Sequence, residues 1–305
     1  MATWTLSDMP SQVGRTAVVT GTGGLGYQDA LALARAGGEV ILAGRNAIKG
    51  AAAVQEIRRG LPKANIRFEL LDLANLQSIA AFAARIRGER QRIDLLINNA
   101  AVMAPPQRQV TADGFELQFG TNYLGHFALT VQLLSLLRKG KNPRIVNVSA
   151  LAARNGVINL EDLQAERNYR PWAVYCQSKL ADLLFSFELQ RRSDAAGWGL
   201  TSIAAHPGIS RTDLVRNGFG KNSVVSIIMH LVGPVLFQTA AQGALSTLYS
   251  ATSPLAKPGA FYGPNGRNEM RGTPALSKVP PQAEDTDVAQ RLWGLSERLV
   301  HLTIS

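Results

Sequence analysis

The chain has 305 residues, 46% apolar and 18% charged, enough to bury a substantial core and too hydrophobic for a disordered polyelectrolyte. Its single cysteine, Cys176, excludes an intramolecular disulfide, and the opening MATWTLSDMPSQVGR lacks the uninterrupted apolar run of a signal peptide, so a reducing, cytoplasmic setting is expected. The net charge of +10 is carried by scattered residues with no zinc-finger spacing or other nucleic-acid signature, so no nucleic-acid partner is expected.

In chain order, residues 16–20 (TAVVT) form the first short β-branched run, followed by a glycine-rich turn and a helix predicted over 25–36. Strand 39–43 (EVILA), helix 47–59, strand 66–70, helix 76–87 and strand 93–97 repeat the alternation. That pattern predicts βαβ units and a parallel sheet covered by helices on both faces. A helix over 114–137, strand 144–148, a helix over 172–192 and strand 200–205 continue it. The basic groups 85–92 and 138–144 then fall at helix ends or in turns, where cations complement the helix dipole. The expected fold class is α/β, a doubly wound parallel sheet of the Rossmann type, in one domain spanning 1–305.

Past Thr212 the alternation fades, and residues 222–256 contain no Asp, Glu, Lys or Arg. The stretch is long enough to suggest a membrane span, but Gly233 and Pro234 interrupt it and Gln238 and Gln242 dilute it. Two helices explain it better, one forming a substrate lid over about 213–240 and one buried against the sheet or a partner. Peripheral membrane or partner binding through the apolar residues 223–237 stays open as a lesser alternative. Residues 257–282, rich in Pro and Gly, read as loops around one short strand near Phe261.

Three groups of residues carry chemistry. Gly21, Gly23 and Gly26, within Thr20-Gly21-Thr22-Gly23-Gly24-Leu25-Gly26, fit the G-x-G-x-x-G spacing. Missing side chains there let backbone amides and a helix N-terminus approach a pyrophosphate. The second strand ends Ala43-Gly44-Arg45-Asn46 with no carboxylate to accept ribose hydroxyls; Arg45 instead offers a guanidinium suited to a 2′-phosphate, so NADP is expected over NAD. Tyr175 and Lys179 stand at i and i+4 of a predicted helix, on one face. An ammonium beside a phenol favours the phenolate, which suits proton exchange with a substrate oxygen.

With these motifs the chain resembles the short-chain dehydrogenase/reductase superfamily, and within it the retinol dehydrogenases and the oxidoreductase domain of WW-containing oxidoreductases. The resemblance runs from about Gly14 to Thr212 and is carried by several short motifs. Thr20 to Gly26 matches the cofactor loop, including Thr22, Gly24 and Leu25. Asp72, followed by Leu73, matches the residue placed beside adenine. Asn98-Asn99-Ala100-Ala101 resembles the N-N-A-G motif with Ala101 replacing the glycine. Asn122 in Thr121-Asn122-Tyr123-Leu124-Gly125-His126-Phe127 matches the asparagine that helps hold a water in a proton relay to the lysine. His206-Pro207-Gly208, with Thr212 four residues beyond the glycine, matches the segment around the nicotinamide.

Two departures stand beside these matches. The glycine loop is one residue shorter than the family's T-G-x-x-x-G-x-G, which implies a tighter or rebuilt turn. The strand-end motif reads Asn147-Val148-Ser149-Ala150, so Ala150 occupies the position of the catalytic serine, a donor comparable to one oxyanion-hole group worth about 10²–10³ in rate. Ser149 is expected to point to the opposite side of the strand.

The resemblance implies an oxidoreductase acting on a ketone, aldehyde or alcohol, with Tyr175 as acid and base, Lys179 lowering its pKa and Asn122 supporting the relay; with Arg45 it is expected to use NADP(H), the strongly apolar lid residues 224–237 favour a lipophilic substrate, and a homodimer or homotetramer is expected. The alternative is a weakened or inactive NADP-binding variant that acts as a sensor or interaction protein. Cys176 reads as a packed side chain, and His126, His206, His230 and His301 show no metal-ligand spacing.

Overall fold

The first β-branched run forms β1 (Thr16–Thr20), and its side chains divide between two cores: Val18 enters one, Ala17 and Val19 the other, as the two-residue period of a strand requires. The same division recurs in β2 (Glu39–Gly44), β4 (Leu95–Asn98) and β5 (Arg144–Val148). Continuous apolar runs rather than alternating ones are the consequence of having helices on both faces. The structure, a computed structural model, describes residues 3–210 and 238–303.

Between the strands lie α1 (Gly24–Arg35), α2 (Ala47–Gly60), β3 (Ile66–Leu70), α3 (Leu76–Glu89), α4 (Gly125–Leu137), α5 (Pro171–Ala196) and β6 (Thr201–Ala205). The chain closes with α6 (Ala240–Thr252), β7 (Phe261–Pro264), β8 (Pro274–Leu276) and α7 (Thr286–Val300). One eight-stranded sheet runs β3-β2-β1-β4-β5-β6-β7-β8, parallel throughout except for the antiparallel β7–β8 edge. Strand order reverses between β1 and β4, so their carboxyl ends open a crevice of the kind that binds dinucleotides.

One face is covered by α1, α2 and α6, through Ala30, Leu33, Ala53, Ile57, Ala244 and Leu248. The other is covered by α3, α4, α5 and α7, where Phe127, Phe185 and Trp293 pack with ring centroids 5.1–5.8 Å apart. Arginines of the predicted basic groups make internal contacts: Arg85 bonds the Leu70 carbonyl at 2.8 Å, Arg138 lies over Trp198, and Arg144 caps the Ser250 and Ser253 carbonyls.

Four expectations change. The fourth strand begins at Leu95 rather than residue 93, because the Ile93 amide bonds the Leu136 carbonyl and Asp94 turns its carboxylate onto the Thr16 and Lys141 amides. The helix expected from 114 starts later: Gly114 has φ +86°, and Thr111 Oγ1 accepts the Asp113 and Phe115 amides in a tight turn. After that turn Phe119–Leu124 is π-helical and runs directly into α4. Two elements were not foreseen, the edge strand β8 and the helix α7. Residues 213–237 of the expected lid, and Thr212, lie outside the described residues, whereas the expected buried helix is α6. Among the described residues no helix is long and apolar enough to cross a membrane.

Candidate active site

The glycine loop is built by close approach. Gly21 has φ +96°, and a Cβ on Gly26 would lie 2.2 Å from the Gly21 carbonyl oxygen and 2.6 Å from Asn99 Nδ2. The shorter loop is therefore folded tightly onto Asn99, whose Nδ2 also donates to the Thr20 carbonyl at 2.8 Å. Asn46, Asn75 and Asp285 cap α2, α3 and α7 with their own side chains, but Gly23 leaves the first-turn amides of α1 without a side-chain cap. A Cβ on Gly23 would meet nothing within 4 Å. Open amides at the positive end of a twelve-residue helix fit a pyrophosphate.

The remaining predicted cofactor residues surround this turn in different ways. Thr22 abuts Gly44 at the end of β2, so exposed Arg45 and Asn46 begin beside the loop. Asn46 spends its Oδ1 on the Lys49 amide, and Arg45 beside it is an exposed cation at the end of β2. Asp72 Oδ1 accepts the Ala74 amide. Leu73 and Leu25 pack into the cores and offer backbone atoms alone. Ala100 and Asn99 both donate their amides to Thr20 Oγ1, at 3.0 and 2.9 Å.

That threonine reaches a residue the sequence reading left unassigned. His126 Nδ1 donates to the Asn122 carbonyl at 2.8 Å, so in the neutral ring Nε2 accepts, and the Thr20 hydroxyl donates to it at 2.9 Å, closer than the Ile97 carbonyl at 3.3 Å. Burial holds the imidazole down to about 3, with the Lys179 charge adding to the effect against the Asn122 bond. His126 thus joins the glycine loop to the π-helical turn as a neutral ring. The Asn122 side chain clamps Val102 through both its backbone groups, at 2.8 and 2.9 Å, and donates to Ser178 Oγ on α5.

Tyr175 sits on α5 in an apolar cluster with Met103, Ala150, Ala152 and Cys176, and its ring lies 5.5 Å from that of Trp172, a half-exposed residue one turn earlier. Ala150, just past the carboxyl end of β5, thus packs against the cluster that holds Tyr175. Ser149 does not turn away from α5 as expected: its hydroxyl donates to the Lys179 carbonyl of that helix at 2.7 Å, one turn beyond Tyr175. Lys179 shares the tyrosine's helix face, yet the two hydrogen bonds of its ammonium go to the Val148 carbonyl and Asp182 Oδ2, each at 2.9 Å. Tyr175 is not lowered as the Tyr–Lys spacing predicts: burial, followed by the Asp182 carboxylate and the neighbouring thiol, holds it above the ordinary phenol range. Burial pushes the Cys176 thiol up to about 11, unlike a reactive cysteine.

The predicted nicotinamide segment follows β6. Gly208 has φ +63° and backs onto the Met270 carbonyl, which a Cβ there would approach to 2.4 Å. Its amide donates to His206 Nδ1, and the other ring nitrogen meets Glu269 and Ser277 at 3.0 Å each. Pro207 turns its carbonyl to Ser210 and Gln238. Glu269 was missed because it lies 63 residues from His206 and acquires its role through β7 and β8 alone. Among the described residues no group of His, Cys, Asp and Glu is arranged to hold a metal ion.

A family model described as short chain dehydrogenase matches residues 15–222. Retinol dehydrogenase 13 of Mus musculus is 43% identical over 300 residues, covering 96% of this chain and 85% of that protein. Retinol dehydrogenase 12 of Homo sapiens is 38% identical over 290 residues, with 94% and 86% covered. Among solved structures, an uncharacterised protein from Mycobacterium paratuberculosis matches with a TM-score of 0.82 and 39% identity, over 100% of both chains.

Proposed function

The chain belongs to the short-chain dehydrogenase family, and on that premise we propose that it is an NADP(H)-dependent oxidoreductase that reduces a lipophilic ketone or aldehyde, or oxidises the matching alcohol. The observation that carries the reading is one edge of the sheet. There the uncapped α1 N-terminus, the Ala150 end of β5 with Tyr175, and the His206-Pro207-Gly208 end of β6 all lie at carboxyl ends of parallel strands, the edge at which α/β sheets bind ligands.

A nicotinamide dinucleotide bound at this edge supplies or accepts the hydride. The amides of Gly24 to Gly26 would hold its pyrophosphate, Asp72 the adenine side, and Lys179 and the Pro207-Gly208 backbone the nicotinamide side. Arg45, exposed beside the loop with no carboxylate at the end of β2, supports NADP over NAD. In reduction Tyr175 Oη gives its proton to the carbonyl oxygen; in oxidation the phenolate takes the proton of the alcohol. A phenol held high keeps its proton at neutral pH, which suits reduction. Met103, Ala150, Ala152 and the half-exposed Trp172 around Tyr175 support a lipophilic substrate.

Ala150 favours a second reading, a cofactor-binding sensor with weak or no turnover, since no hydroxyl stands at that position. The test is a panel of aldehydes and ketones of increasing chain length with NADPH and NADH. We expect kcat/KM to rise with chain length and NADPH to be preferred; preference for small polar carbonyls overturns the lipophilic reading, and no turnover of any member alongside tight NADPH binding selects the sensor.

A further inference from the structure

We propose that Asp182 is a positioning residue that competes with Tyr175 for the charge of Lys179 and thereby sets the pH at which Tyr175 exchanges its proton. This rests on the reading of Tyr175 as the acid–base group. Tyr175, Lys179 and Asp182 stand at i, i+4 and i+7 of α5, on one face with Lys179 in the middle. Helical side chains tilt toward the N-terminus, so Lys179 leans toward the phenol and Asp182 leans toward Lys179. All three are buried.

The ammonium has three protons. One is committed to the Val148 carbonyl and one to Asp182 Oδ2, both at 2.9 Å, which leaves one for a phenol or a ribose hydroxyl. Geometry alone therefore permits Lys179 to serve Tyr175; the difference is electrostatic. A lone buried ammonium presents a full positive charge to the phenolate, whereas a cation paired with a carboxylate presents a dipole whose far end repels it. In a low-dielectric interior that substitution matters more than it would in water.

Among the described residues, few charged, titratable or polar groups surround the pair. Cys176 neighbours Tyr175 on the same helix. From the helix packed across α5 come Tyr123, which senses the Asp182 charge and bonds Ser296 of α7, and His126, which senses Lys179. The turn Leu151–Asn155 brings Arg154, already paired with Glu269 at 2.7 Å. The strand β6 brings Ser202, bonded to Ser186, and the turn Pro281–Ala283 brings Gln282, bonded to the Arg154 carbonyl. His126 stays neutral throughout the working range, and Tyr123 is held high by burial. Among the described residues, Tyr175, Lys179 and Asp182 are thus the set whose charges bear on the proton transfer.

The test compares the unmodified protein with Asp182→Asn and Asp182→Ser, which remove the charge, and with Asp182→Glu, which keeps it. Two readouts are used: the pH dependence of kcat/KM for alcohol oxidation, and ultraviolet difference titration of the tyrosinate in cofactor-free protein, with Tyr175→Phe as the subtraction. In either charge-free variant the rising limb and the Tyr175 titration should both move to lower pH by about one pH unit or more, while Asp182→Glu stays near the unmodified profile. The unmodified protein itself should titrate Tyr175 above the ordinary phenol value of about 10; a titration at or below it overturns the proposal even if neither charge-free variant folds. A folded charge-free variant whose titration does not move also overturns it. A Tyr175 titration that moves in a protein that turns over no alcohol or carbonyl supports the Asp182 role and overturns the catalytic reading instead.

Discussion

Thr20 Oγ1 and His126 Nε2 lie 2.9 Å apart across 106 residues of sequence, and through this bond the glycine loop at the end of β1 is tied to the π-helical turn that carries Asn122. The ring is buried and must be neutral to accept from Thr20 while donating to Asn122. Its pKa is about 3 in the fold against 6.5 for a free imidazole. A base whose folded pKa is depressed stabilises the fold fully above its unfolded pKa, and that contribution is lost as pH falls below it. Stability should therefore decline from about pH 6.5 downward, by about 1.4 kcal/mol per pH unit from this group. Stepwise thermal melts of the unmodified protein and His126→Gln check this: the variant should melt lower at pH 7 but show the shallower slope, and equal slopes would exclude His126 as the cause.

The glycine loop separates packing from ligand approach. At Gly26 an added Cβ runs into the Gly21 carbonyl at 2.2 Å, while at Gly23 it meets nothing within 4 Å. Gly26→Ala should therefore lower Tm by several degrees and lose cofactor binding by tenfold or more, through displacement of backbone that has nowhere to go. Gly23→Ala should keep its Tm nearly unchanged and lose cofactor affinity alone, because its methyl would enter the open space at the α1 N-terminus where the pyrophosphate is proposed to bind. Equal melting temperatures for both variants would contradict the tight-turn account.

Cofactor choice should follow Arg45. In the unmodified protein NADPH should bind more tightly than NADH, and Arg45→Asp should narrow or invert the difference, since a carboxylate repels a 2′-phosphate and accepts ribose hydroxyls. Fluorescence titration with both cofactors measures it, and equal affinity in the unmodified protein removes the assignment.

Ala150 packs against the apolar cluster that holds Tyr175, and it occupies the position of the family's serine donor. Ala150→Ser should raise kcat for carbonyl reduction, by up to about 10²-fold, without comparable change in NADPH affinity. Tyr175→Phe should abolish nearly all turnover in an active protein. High turnover in the unmodified protein with no gain from the serine would mean that another group donates to the substrate oxygen.

The order of strands and helices was legible in the chain, because a parallel strand buried on both faces must be a short apolar run and the helices between them must carry an apolar stripe. The glycine spacing of the loop and the shared face of Tyr175 and Lys179 were legible for the same reason: both are set by local backbone periodicity. Helix α7 also left a local signal that was passed over, an Asp285 N-cap followed by Ala289, Leu292, Trp293, Ser296 and Val300 on one face.

What the tertiary structure alone decided is how charge and hydrogen bonds are distributed at the site. Asp182 is visible three residues after Lys179, but helical spacing permits that pair without requiring it. Its weight comes from the burial of both groups and from the Val148 carbonyl that orients the ammonium. Thr20 and His126, or His206 and Glu269, carry no sequence signal at all, because their meeting depends on where β1, β6 and the β7–β8 edge end relative to the helices packed on them. Periodicity fixes which face a side chain occupies; the partner it finds there is chosen by elements brought together from distant parts of the chain, and the burial that follows sets the strength of that contact.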